Sequence, residues 1–122
     1  MELVAQELTD RLLSAAVAVH RELGPGFLES FYEAALAHEL TKRGHRVERQ
    51  KLITVQYDGV VVGEHRLDLF VDGAIVLELK ACKAIEDVHL AVARSYLKAV
   101  GVRVALVLNF AEARLGVRRV VW

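Results

Sequence analysis

With 122 residues, 54% of them apolar, the chain suits one globular domain with a packed core and leaves no room for a second. Its 16 Lys and Arg balance 16 Asp and Glu, which excludes a protein that coats nucleic acid by bulk charge, so any polyanion contact must come from a local patch. Cys82 is the only cysteine, no apolar run could span a bilayer, and Met1 to Asp10, with Glu2, Glu7 and Asp10, lacks the order of a signal peptide; a soluble cytoplasmic protein is expected.

From Leu8 to Leu23, the residues Leu12, Leu13, Ala16, Val19 and Leu23 recur at helical spacing, so this segment predicts a first helix. Gly24-Pro25-Gly26 breaks it, because proline removes a donor and glycine tolerates left-handed backbone. A second helix is expected from about Phe27 to Arg43, ended by Gly44. The period then changes to alternation, with strands from Val47 to Tyr57 and from Val60 to Val71, and Asp58-Gly59 as the hairpin turn. Asp72-Gly73 is a second turn, and Ala74 to Ala81 reads as a third strand. Glu86 to Val100 returns to helical spacing and stops at Gly101. Val102 to Phe110 has the unbroken apolar character of a buried strand, and Val117 to Trp122 is a candidate edge strand kept soluble by Arg118 and Arg119. The fold class is α/β: a mixed central sheet with helices on both faces, in the order α-α-β-β-β-α-β plus that candidate strand.

In the third strand Glu78 and Lys80 share one face, while Leu77 and Leu79 share the other. Whether Asp68 joins them depends on the Asp72-Gly73 loop. A two-residue loop pairs Asp68 with Leu77, whereas a three-residue loop or bulge pairs it with Glu78. The longer loop is favoured, because only that parity gathers Leu67, Leu69, Val71, Ile75, Leu77 and Leu79 into one apolar face. Asp68, Glu78 and Lys80 then share the opposite face, expected to be the one toward the second helix. Opposed carboxylates repel unless something neutralises them. A hard divalent cation would do so, with Lys80 orienting or activating a water beside it. The competing reading is a surface salt bridge from Lys80 to either acid.

These residues resemble the PD-(D/E)XK nuclease superfamily, with Asp68 as its aspartate and Glu78-Leu79-Lys80 as its (D/E)XK. Upstream, Gly26-Phe27-Leu28-Glu29-Ser30-Phe31-Tyr32 resembles the pattern that names the bacterial GxxExxY family, a branch of that superfamily. His20 to Gly26 and Asn109-Phe110 are also similar to segments of that family. The resemblance implies a restriction-endonuclease-like core and a nuclease using Mg2+, with Mn2+ able to substitute, on nucleic acid, DNA ahead of RNA. It implies that Glu29 joins Asp68, Glu78 and the Leu79 carbonyl at the metal. Two positions depart from the pattern. Leu67 stands in place of the proline before the aspartate, and Val92 stands where the family segment often carries glutamine, which removes a polar group from the site.

Several other residues read two ways. Glu29 in the first turn of a helix also suits capping and the helix dipole. Tyr32, on the same helical face, either bonds a carboxylate at the site or fills core. Lys42 to Lys51 is the densest basic stretch, and Arg46 and Arg49 within it could contact phosphates or form ordinary solvated surface; Lys83 and Arg94 are further phosphate candidates. The five histidines make no zinc spacing with Cys82. His20 reads as a satisfied core histidine and Cys82 as a small buried filler. Alternatives to catalysis are a nucleic-acid-binding or accessory module on the same fold, and a homodimer formed through the edge ending in Val120-Val121-Trp122.

Overall fold

A computed structural model describes residues 5–122; Glu2 lies outside them. The elements are α1 (Gln6–Leu23), α2 (Glu29–Lys42), β1 (Val47–Tyr57), β2 (Val60–Val71), β3 (Ile75–Lys80), α3 (Asp87–Val100), β4 (Val104–Asn109) and β5 (Gly116–Val121). The strands form one sheet in the order β1-β2-β3-β4-β5. Every neighbour is antiparallel except β3 and β4, which run parallel because α3 carries the chain back between them. The candidate strand at the C-terminal end is thus a real edge strand, although Val120 is buried and turned toward α3.

Two clusters pack against the sheet. On one face, Leu12, Ala16 and Val19 of α1 and Tyr32, Leu36 and Leu40 of α2 meet Leu69, Val71, Ile75, Leu77, Leu79 and the even-numbered β4 residues Val104, Leu106 and Leu108. On the other, Ala93 and Leu97 of α3 meet Ile53, Leu67, Phe70, Val76, Ala105, Val107 and Val120. Alternate residues of β3 and β4 therefore serve different layers, which is the sheet's period of two. No helix among the described residues is long and apolar enough to cross a membrane.

Helix α2 starts later than the sequence suggests. Gly26 has φ 118 and Leu28 is the extended N-cap, so Phe27 and Leu28 precede the helix and Glu29 is its first residue. Tyr32 fixes this junction: its hydroxyl donates to the Gly24 carbonyl at 2.6 Å and accepts the Phe27 N–H at 3.1 Å. Its ring is fully buried and stacked on Phe110 at 4.6 Å. Tyr32 therefore lies in the core, as its packing reading expects, and is not among the residues that wall the cavity at Asp68 and Glu78.

Strand β2 meets β3 through the three-residue loop Asp72-Gly73-Ala74, since Val71 pairs with Ile75 and Leu69 with Leu77. The same register places Asp68 beside Glu78. One part of the expected apolar face is overturned: Leu67 packs with α3 rather than with Leu69. Arg49 pairs with Leu69 and Lys51 with Leu67, and Gln50 between them has φ 52. The register is the same on both sides, so no residue is inserted, but the left-handed backbone interrupts the ladder and twists the pair locally. Leu67 and His65 accordingly turn to the α3 side along with Asp68 and Phe70. Buried Glu33 of α2 anchors the distortion, accepting Gln50 Nε2 at 2.6 Å and Arg49 Nη2 at 3.1 Å.

Candidate active site

Asp68, Glu78 and Lys80 come together in a small cavity of about 100 Å³, walled by Glu29, His65 and Leu79 and by His89, Val92, Ala93 and Tyr96 of α3. The site thus faces the third helix. The expectation that it faces the second fails because even-numbered β3 residues point to the α3 layer and only odd ones to α1 and α2. Glu29 reaches it from the edge, its Oε2 accepting the Ala81 N–H just past the end of β3 at 3.3 Å.

The two sheet acids are interlocked. Asp68 Oδ2 accepts the Leu79 N–H at 2.8 Å, and Glu78 Oε2 accepts the Asp68 N–H at 3.3 Å. Glu78 is 7% exposed and its Oε1 is buried without a hydrogen-bond partner among the described residues. Burial, and then the neighbouring Asp68 carboxylate, push the Glu78 carboxyl up to about 9. Lys80 acts on Glu78 through space in the opposite sense. It makes no ion pair with either acid, whereas His65 Nε2 lies 3.6 Å from Glu78 Oε1; the salt-bridge reading of Lys80 is not what the fold builds.

Around the acids stand aromatic and imidazole rings. His65 stacks on Tyr96 with centroids 3.9 Å apart and planes 14° apart. Burial lowers the affinity of His65 for a proton, with Lys80 adding to the effect and Asp68 opposing it. Burial likewise raises the Tyr96 hydroxyl, reinforced by the charges of Glu78 and Asp68. His89 Nδ1 accepts the Glu86 N–H at 2.9 Å in the capping box of α3, so in the neutral ring Nε2 carries the proton. Simple alternation assigns His65 to the face opposite Asp68, which is why the sequence hides it; a glutamine at position 50 gives no hint of left-handed backbone.

The remaining candidates lie elsewhere. Arg49 is tied to Glu33 on the α2 side. Arg46 sits by the β2–β3 turn, its guanidinium beside Gly73, at the opposite end of β3 from Lys80 and about 15 Å away by strand rise. The basic stretch as a whole is largely paired, Lys42 and Arg43 with Glu39, His45 with Asp72, and Lys51 with Glu48. These pairings oppose the reading of Arg46 and Arg49 as phosphate contacts beside the acids. Lys83 is exposed on the loop after β3, close in sequence to Lys80 of the cavity. Cys82 is only partly buried, its Sγ donating to the Ala84 carbonyl at 3.3 Å, so it is not the expected core filler. His20 is buried and its Nε2 meets the Glu112 carbonyl at 2.9 Å, in keeping with a core role. Asn109, unnoticed for this purpose in the sequence, clamps the loop after β3 by accepting the Cys82 N–H at 3.1 Å and donating to the Cys82 carbonyl at 2.8 Å.

A profile of the PD-(D/E)XK nuclease superfamily matches residues 6–120, and the chain belongs to that superfamily. No curated protein and no solved structure matches it at a significant level. Superfamily members typically use divalent metal ions. Among the described residues no three acids, histidines or cysteines stand close enough together to hold an ion. The pair Asp68 and Glu78 nevertheless fits a hard cation: both donors are carboxylate oxygens, one buried oxygen lacks a partner, and magnesium commonly takes only one or two protein carboxylates and keeps its waters.

Proposed function

We propose that this chain is a metal-dependent nuclease of the GxxExxY branch, hydrolysing phosphodiester bonds in nucleic acid, DNA ahead of RNA by superfamily analogy. The observation that carries the reading is the convergence of Asp68 and Glu78 on one cavity, where a buried Glu78 oxygen accepts no hydrogen bond among the described residues. Asp68 and Glu78 would hold Mg2+, or Mn2+ in its place, with the Leu79 carbonyl and Glu29 completing the protein donors. When bound, the ion would supply charge neutralisation at the phosphate and a more acidic water. Glu29 is exposed at the cavity edge and bound to the Ala81 N–H, and would exchange that hydrogen bond for the ion. Lys80, unpaired with either acid, would hold a proton-bearing amine against the attacking water or the developing phosphate charge. Lys83 would meet the substrate backbone outside the cavity. We place the protein in the cytoplasm, as a single domain.

A second reading, a binding or accessory module that kept the fold, draws on Val92. It puts an apolar side chain, 39% exposed, into the cavity wall, where the resemblance expects an amide. Calorimetric titration with Mg2+ or Mn2+ separates the two readings. The catalytic one expects binding that disappears in Asp68→Asn, and the other expects no binding in either protein. A nuclease assay of Lys80→Ala beside wild type then tests the chemistry, and equal rates would remove Lys80 from it.

A further inference from the structure

Glu78 is tethered at one oxygen only. Its Oε2 accepts the Asp68 N–H, while Oε1 is enclosed by protein and has no hydrogen bond among the described residues. The imidazole of His65 faces that oxygen, with Nε2 3.6 Å away, a few tenths of an ångström beyond a hydrogen bond. The ring is not free to turn aside, because it lies flat on Tyr96 at 3.9 Å. It lines the α3 side of a strand pair whose ladder is interrupted at left-handed Gln50, a residue that Glu33 holds in place. Three elements therefore cooperate to aim one nitrogen at one orphaned oxygen.

We propose that His65 is a positioning residue for Glu78: its Nε2 partners Oε1, Tyr96 holds the imidazole in that orientation, and the carboxyl keeps a fixed plane beside Asp68. This inference rests on the metal-site reading given above for its functional consequence. Groups that orient a ligating carboxylate are worth roughly 10–100-fold in metal affinity, because a ligand already in place need not be ordered when the ion arrives. A ring that only filled space would be replaceable by any ring of the same size.

The variant His65→Phe keeps a flat ring for Tyr96 and removes both nitrogens, and His65→Gln restores an N–H of similar reach. In Mn2+ titrations the proposal expects His65→Phe to bind about 10-fold or more weakly while still folding cooperatively, and His65→Gln to recover part of the loss. Equal Mn2+ affinity in His65→Phe and wild type overturns it. A double-mutant cycle of His65→Phe and Glu78→Leu, read by urea unfolding of the metal-free protein, tests the contact without any ion. The expected result is a non-additivity of at least about threefold in the unfolding equilibrium, and strict additivity overturns the contact. Should wild type take up no Mn2+ while the cycle shows coupling, the metal-site reading falls and the His65–Glu78 contact stands.

Discussion

The two faces of the sheet are built to different standards. Toward α1 and α2, Leu69, Val71, Ile75, Leu77, Leu79, Val104, Leu106 and Leu108 form an uninterrupted apolar layer. Toward α3, the apolar layer of Val76, Ala105 and Val107 gives way at the C-terminal end of β3 to Glu78, Lys80, Asp68 and His65. The first face supplies stability; the second gives some of it up, because a buried carboxyl next to another costs free energy unless it is neutralised. Both faces share the same strands, so the site inherits the rigidity of the core one residue away, which is what a preorganised set of acids needs.

Variants on the two faces should therefore behave oppositely. The largest effect belongs to Leu77→Ala, which opens a cavity in the α1 and α2 layer; a loss of about 2–5 kcal/mol is expected in urea unfolding, and a loss under 1 kcal/mol would break the contrast. Next, on the proposed metal site, Mn2+ should raise the melting temperature of wild type, and Asp68→Asn should leave the fold intact but abolish that rise. With the ion at 100 times its dissociation constant, that rise corresponds to about 2.7 kcal/mol.

Glu78→Gln should stabilise the metal-free protein at neutral and alkaline pH, by roughly 1–3 kcal/mol. The folded carboxyl titrates near 9, above its ordinary 4.5, so its contribution is complete below pH 4.5 and is lost as pH rises toward 9. Wild type without metal should weaken across that window and the glutamine variant should not; parallel pH curves would show that Glu78 is not strained. The smallest effect lies at the β2–β3 turn. Asp72 accepts His45 Nδ1 at 2.7 Å and the Arg46 N–H at 2.8 Å. Burial raises its carboxyl, but the hydrogen bonds from His45 and Arg46 outweigh that and hold it below the ordinary 3.8. Its contribution is therefore present above pH 3.8 and fades as pH falls through the depressed value. Asp72→Asn should remove that acid-side slope at a cost below about 1 kcal/mol at neutral pH; an unchanged slope would assign it to another group.

Periodicity was enough to determine the order of elements, the three-residue β2–β3 loop and the meeting of Asp68 with Glu78. Those follow from the spacing of apolar residues along each strand, a local property of the chain. Glycine at positions 24, 44 and 101 likewise marked where helices end, because each adopts positive φ there. What only the tertiary structure decided is which helix faces the acids, that His65 and Leu67 turn to their side, and that Tyr32, Arg46 and Arg49 lie away from them. Each of these depends on long-range packing: α3 crossing back over one face, and Glu33 of α2 holding a left-handed Gln50 that no local residue pattern announces. A sequence records which side chains alternate, but the layer each side meets is fixed only when helices distant in the chain compete to cover it.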